Sequence, residues 1–556
     1  MIPPTPREAA VRPRTRLQII VTLVAVALLG TGCFSAPGGR SPAGGVAQPA
    51  GPPQDGGIFR YSLPSDARSL DPQAQSSFNT HVAIGSTYSK LVDFDTGPDV
   101  PYGSPQLEGD LAEKWGPSDG GRTWTFTLRH GVRFHDKPPV NGREFTADDV
   151  LCTMQRIREL PGHQLNLISM VQDISAPDPY TVVFRLAEPY AEFDQNMANH
   201  FMWILPCEGT RGEFDLNTTA IGTGPFVLDK WERDRERVLS ANPNYYREGT
   251  PHMAGVHVSI VPDQASAIAA LRTGQVDYLS PLTLDKAQVE RIMSQDSSLQ
   301  LNEEQGLTQV RLYMNQERKP FDDVRVRRAV AMAIDREGML STIRAGGSLS
   351  GPVTPTLFGG LAPEESARLQ PHDPEQARRL LAEAGYPNGF SVRMILTDGY
   401  GETVVREAQW AQQDLAEVGI QVELDLQDYA TYFTESFAGK NYDMGFGLQT
   451  PMLAADEYLS TEWVSDGARN WYGINDPELD RMITAQRGML DQSARLQALV
   501  DIQRYILENV SNPVPLYVYN SPSILAPYVH DAYPHPDYGT RHQIDMWLGP
   551  DAPGRS

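Results

Sequence analysis

The chain has 556 residues and carries 70 acidic against 47 basic side chains, a formal net charge of −23 at pH 7. A surface this acidic repels phosphate backbones, which sets nucleic acid aside as a partner. The length exceeds what one hydrophobic core usually covers, so two or three domains are expected.

Arg7, Arg12, Arg14 and Arg16 form a basic leader, followed at 17–29 by a weakly polar to apolar run. That run is shorter than the roughly 20 residues that span a bilayer. Leu28-Leu-Gly-Thr-Gly-Cys33 then places small residues before a lone cysteine. It resembles a bacterial lipobox, although Gly30 stands where a Leu is expected and Leu29 lies one place early. The resemblance implies a signal peptide over 1–32 and a diacylated Cys33; an ordinary signal peptide cleaved elsewhere is the alternative. Residues 33–56, rich in Pro, Gly, Ala and Ser, cannot bury a core and read as a disordered tether.

Residues 57–63 read as a first strand, before Arg68-Ser-Leu-Asp-Pro72. Next come Leu111-Ala-Glu-Lys-Trp115, Thr123-Trp-Thr-Phe-Thr-Leu-Arg129, Gly131-Val-Arg-Phe-His-Asp136 and Phe145-Thr-Ala-Asp-Asp-Val150. Trp124, Phe126 and Leu128 alternate with polar neighbours, which predicts a half-buried strand. Thr146 with Asp149 predicts a helix start. Cys152 on that helix and Cys207 after an apolar run are a candidate disulfide in an exported chain, or two buried thiols. Strand signals dominate to about residue 260, through Thr181–Leu186, Gly222-Thr-Gly-Pro-Phe226, Asn242-Pro-Asn-Tyr-Tyr246 and Val256-His-Val-Ser-Ile-Val261.

The second half alternates helices and strands. Val326, Ala329, Val330 and Ala333 follow a helical stripe, and Asp373-Pro-Glu-Gln376 opens a capped helix that Gly385 ends. Strands at 390–396 and 420–426 flank a helical face of Val404, Ala408, Ala411, Leu415 and Val418. This succession predicts an α/β lobe with a partly parallel sheet. A long helical region after Asp476-Pro-Glu478 leads to Pro513-Val-Pro-Leu-Tyr517.

Taken in order, these motifs resemble the bacterial extracellular solute-binding proteins of family 5, the oligopeptide, dipeptide and nickel type that feeds ABC importers. The likeness runs from about Gly57 to about Pro550. It implies an α/β, two-lobed periplasmic-binding-protein-like fold of the large type, with an extra β-rich subdomain and two crossover strands as a hinge near Leu312 and Tyr517. Lobe I would comprise 57–96, 219–311 and 518–550, with the β-rich subdomain at 97–218; lobe II would be 312–517. The lobes would close over a solute, and an ABC permease and ATPase in the membrane would receive it. The protein would be a monomer, lipid-anchored on the outer face of the cell membrane.

By resemblance the cleft walls would include Ser76 and Phe78 after the Ser-Leu-Asp-Pro turn, Arg311 and Tyr313 at the first crossover, and Tyr429. Phe446 and Gln449 would come from the loop after Tyr442, and Asn470, Trp471 and Tyr472 from the segment before the last long helix. Arg311 could instead be an inter-lobe ion pair. Peptide-binding relatives carry a Trp and, soon after it, an Asp that pairs with the peptide ammonium. Here Gly445-Phe-Gly-Leu-Gln-Thr-Pro-Met-Leu-Ala-Ala-Asp456 has neither, and Asp456 matches a later acidic position. An oligopeptide or dipeptide is the first expectation for the solute, an oligosaccharide or other non-peptide the alternative; a structural surface lipoprotein or a hydrolase is more distant. No His-Glu-x-x-His, Gly-x-Ser-x-Gly or P-loop pattern occurs, and no catalytic residue, metal or cofactor is expected. Changing Cys33 to Ala is expected to move the protein from the membrane into the soluble exported fraction, as read by fractionation and immunoblot.

Overall fold

Two long antiparallel strands, Gln300–Met314 and Val514–Leu525, organise the fold. They belong to a computed structural model that describes residues 51–554, apart from 75–76, 161–162, 281–283, 285, 345, 430, 450 and 538–542. Residues 1–32 and Cys33 lie outside the described residues. Among the described residues eleven strands form one mixed sheet. Its order runs Ile420–Gln427, Phe390–Thr397, Met444–Gln449, Gln300–Met314, Val514–Leu525, Tyr278–Leu279, Ile58–Leu63, Gly255–Ile260, Glu236–Ala241, Phe226–Glu232, with Gly347–Leu349 beside Val514–Leu525. Ile58–Leu63 pairs parallel with both its neighbours, as does Phe390–Thr397; the remaining pairs are antiparallel.

The long pair changes partners along its length. Residues 300–305 pair with 520–525, whose far side holds Tyr278–Leu279, while residues 309–314 pair with Met444–Gln449. Between these stretches the register slips, once between Gln305 and Gln309 and again between Val310 and Arg311. A slip leaves residues without ladder bonds and locally bends and twists a strand. Leu312 and Tyr517, expected at the crossovers, both lie in this pair.

Local signals in the sequence correspond to real elements. Thr123–Leu128 buries Trp124, Phe126 and Leu128 and leaves the intervening threonines partly exposed. It is a central strand of a separate four-stranded antiparallel sheet with Ala112–Ser118, Thr181–Leu186 and Val171–Asp178. Helix Ala147–Glu159 starts with a reciprocal Thr146–Asp149 capping box. Asp373 accepts the Gln376 N–H at the start of Pro374–Glu383, whose buried face is Ala377, Leu380 and Leu381. No helix among the described residues is long and apolar enough to cross a membrane.

Cys152, on the helix, is bonded to Cys207 with their Cα atoms 5.4 Å apart. The bond staples the helix to the segment that follows Trp203 and Leu205. Reducing it, or replacing Cys152 with Ser, is expected to cost about 2–4 kcal/mol by opening a long loop in the unfolded chain. Denaturant melts with and without reductant measure this.

Burial pushes the Glu304 carboxyl, on Gln300–Met314, from its ordinary 4.5 up to about 6. The folded chain therefore binds this proton more tightly than the unfolded chain, and stability falls as pH rises through about 6. Glu304→Gln removes that loss. After allowance for the part of the side chain that faces solvent, melts should show the variant more stable by ~1 kcal/mol at pH 8 and no more stable at pH 4.

Candidate functional site

Where Gln300–Met314 meets Met444–Gln449, Gln309 lies opposite Gln449, Arg311 opposite Gly447 and Tyr313 opposite Gly445. Alternation along the strands puts these side chains on one face of the sheet. The two glycines make the room. A Cβ on Gly445 would come within 2.2 Å of the Tyr313 ring, and one on Gly447 within 2.2 Å of the Tyr432 hydroxyl. The Tyr313 hydroxyl donates to that of Tyr432 at 2.7 Å. Burial pushes the Tyr313 phenol well above its usual range, so it stays protonated.

The opposite wall is a widened helical turn, Thr431–Phe437, closed by five-residue hydrogen bonds such as Ala438 N–H to the Phe433 carbonyl at 3.0 Å. Such turns recur at functional sites because they shift side chains off the regular helical stripe. Here Phe433 and Phe437 meet the Trp471 ring edge-on, at 5.5 and 4.8 Å between centroids, and Phe437 lies 4.4 Å from Tyr313. With Tyr472 and Arg469 these rings line a small cavity of about 20 Å³, room for about one water. Its polar floor is Arg311, Glu462 and Gln449.

Arg311 is 2% exposed. Its Nη1 donates to Glu462 at 2.5 Å, its Nε to Gln309 Oε1 at 2.5 Å and its Nη2 to the Pro352 carbonyl at 3.3 Å. The guanidinium also lies over Trp463, 5.1 Å from the ring centroid. Burial works against the charge, but Glu462 more than offsets it and the pKa is raised. Gln449 completes the floor, donating through Nε2 to the other Glu462 oxygen at 2.6 Å.

The structure thus brings Arg311, Tyr313, Gln449, Trp471 and Tyr472 together and places other expected wall residues elsewhere. Phe446 points to the opposite face and is fully buried in a core with Leu312, Val330 and Leu415. The flanking glycines mark the pocket, and Phe446 between them belongs to the core because strand side chains alternate. Asn470 ties its own loop, donating to the carbonyls of Val464, Ser465 and Ile474 and accepting the Ile474 N–H. Tyr429 is 48% exposed and stacks on Phe433 beyond the pocket. Asp456 is buried, 2.5 Å from Gln486 Nε2 and 3.1 Å from Arg487 Nε, and does not face the pocket. Ser76 and the Phe78 side chain lie outside the described residues; the Phe78 backbone opens the helix Phe78–Ile84. Sequence reasoning missed Phe433, Phe437, Glu462 and Arg469. The Phe433–Phe437 spacing was a visible hint, but nothing local marks Glu462 as the partner of Arg311. No group of three His, Cys, Asp or Glu among the described residues is placed to hold a metal.

Residues 106–471 match the family model described as bacterial extracellular solute-binding proteins, family 5, middle region. The chain belongs to this family. Its members act as solute-binding proteins with ABC permease and ATPase subunits and are not enzymes. The chain is 31% identical over 443 residues to the di/tripeptide-binding protein 2 of Pseudomonas aeruginosa, covering 73% of this chain and 80% of that one. It is 29% identical over 463 residues to the heme-binding protein A of Haemophilus influenzae, covering 77% and 81%. A solved structure, the ABC transporter-associated periplasmic binding protein DppA of Helicobacter pylori in complex with the peptide STSA, superposes with a TM-score of 0.72 at 25% identity, covering 89% of this chain and 98% of that one.

Gly445→Ala is expected to push Tyr313 out of its rotamer and cost about 1–3 kcal/mol of stability through overpacking. Thermal melts check this, and tyrosine fluorescence should report the moved phenol.

Proposed function

We propose that this chain captures a peptide between two lobes and presents it to an ABC permease, tethered to the outer face of the membrane through Cys33. Lobe I is 57–96, 219–311 and 518–550, carrying the subdomain 97–218, and lobe II is 312–517. The hinge is the stretch where the long strands slip register, 305–311 against 515–520. The residues around the aromatic cavity, Arg311 at the hinge and Tyr313, Gln449, Trp471 and Tyr472 of lobe II, meet one end of the ligand. Peptide is favoured by the relatives whose names or bound ligands are peptides. A flat non-peptide solute is the second reading, favoured by the aromatic walls.

The observation that carries closure is a buried contact between the two proposed lobes. The Ala191 N–H donates to the Arg487 carbonyl at 2.7 Å, and Tyr190 lies under the Arg487 guanidinium, 5.0 Å from ring centroid to charge. Beside them Glu192 and Arg495 form an ion pair at 2.7 Å with both side chains almost fully buried. Arg495 Nε also donates to Gln486, whose amide holds Asp456 at the end of the pocket loop. The subdomain thereby grips the helices that position the loop. A ligand shifts the open–closed balance only by what it contacts more favourably in the closed form.

Small-angle scattering with a di- or tripeptide library member that binds is expected to show a smaller radius of gyration on binding. Glu192→Gln, which leaves Arg495 buried without its counter-charge, should open the free protein and weaken peptide affinity about tenfold or more. A tightly bound peptide that leaves the scattering curve unchanged overturns the closure mechanism. Failure of every peptide in calorimetry overturns the peptide reading.

A further inference from the structure

The helix Ala455–Glu462 touches both the subdomain's grip and the hinge. It is eight residues long, contains neither Gly nor Pro, and buries Asp456, Tyr458, Leu459 and Glu462. Its first turn faces the grip. The Asp456 carboxylate accepts Gln486 Nε2 at 2.5 Å and Arg487 Nε at 3.1 Å, and Gln486 Oε1 in turn accepts Nε of Arg495, the partner of Glu192. Its last residue faces the hinge, where Glu462 holds Arg311 through one oxygen and Gln449 through the other.

Between these ends stands Tyr458. Its hydroxyl donates to the Leu307 carbonyl at 3.4 Å and accepts the Met452 N–H at 3.2 Å. Leu307 lies inside the register slip, between Gln305 and Gln309, where the ladder to Val514–Leu525 is interrupted. A strand is freest to change its bend at such a slip, and a hydroxyl set against its backbone favours one bend over the others. Burial pushes the Tyr458 phenol up, so it keeps the proton it donates. Six residues of helix, about 9 Å, carry the chain from Asp456 to Glu462. Close-packed interiors transmit strain, so a displacement at one end of this buried helix is felt at the other.

We propose that this helix couples the subdomain's grip to the hinge, with Tyr458 as the positioning residue. While Glu192 and Arg495 are engaged, the slip at 305–309 is held in one bend; when they part, it is released. This coupling rests on the lobes and the closure proposed above and is indifferent to which solute is bound. Linkage makes it reciprocal, so loosening the slip weakens the grip by the same free energy. Hydrogen exchange read by mass spectrometry on the full ligand-free chain follows the two places separately. Glu192→Gln should speed exchange about tenfold at 186–196, and by a similar factor at 305–311.

Tyr458→Phe keeps the ring and removes the hydroxyl. It should speed exchange at 305–311 and, reciprocally, at 186–196. The double variant tests the route: with the hydroxyl gone, adding Glu192→Gln should change nothing further at 305–311, whereas independent effects multiply. Thermal melts establish that each variant is folded. Should Glu192→Gln not fold, Arg495→Lys takes its place, since it keeps a charge opposite Glu192 and loses the Nε–H that reaches Gln486. The coupling is overturned if the folded grip variant exchanges at 305–311 as the wild type does, or if the double variant shows the product of the two single effects. Coupled exchange with no change in scattering on peptide binding leaves the helix assignment standing and removes the closure reading. Closure with uncoupled exchange does the reverse.

Discussion

Because the chain leaves one half of the main sheet along Gln300–Met314 and returns along Val514–Leu525, those two strands set where everything else can be. Their mutual pairing closes a loop of some two hundred residues, which would be entropically expensive if only a few bonds held it. Hydrogen bonds on both sides of the register slip supply the cohesion, and the slip supplies the place where the pair can bend. The pocket inherits its geometry from the same pairing, since Gln309, Arg311 and Tyr313 take their direction from the strand and their depth from the glycines opposite.

The buried charges show a second constraint. Arg311–Glu462 and Arg495–Glu192 are almost completely withdrawn from water. Taking two charges out of water costs about as much as their attraction returns, so such pairs add little net stability and are strongly destabilising when one partner is lost. Their effect is positional. Arg311 holds Glu462 against Gln449, and Arg495 holds Glu192 against the helix that carries Gln486.

Much of the fold was legible because its signals are local. The alternation of Trp124, Phe126 and Leu128, the Thr146–Asp149 cap and the Asp373-Pro cap each act within a few residues, and each corresponds to the element expected. The resemblance carried the family and the two-lobed class. Within the site, the resemblance named Arg311, Tyr313, Gln449, Trp471 and Tyr472, and the fold brings these five to one cavity. Phe446 could not be placed, because choosing which face of a strand meets the core requires knowing that Leu312 lies across from it. Arg311 and Glu462 are 151 residues apart, and Phe433 reaches the pocket only because its helix widens by one residue per turn. Neither fact leaves a periodic trace in the sequence.

The pocket loop is fastened at both ends by interactions of different kinds. Gln449 is pinned by sheet register and by Glu462, and Asp456 by Gln486 and by Arg487, which also engages Tyr190 and Ala191. The residues between them, Met452, Leu453 and Ala455 included, are buried in the core, whereas the pocket rings Phe433, Phe437, Trp471 and Tyr472 lie outside both fastenings. This separates recognition from movement along the chain. A lineage could exchange one solute for another through substitutions at those ring positions, while the buried loop stayed as it was. For an engineer, the same rings are the place to randomise.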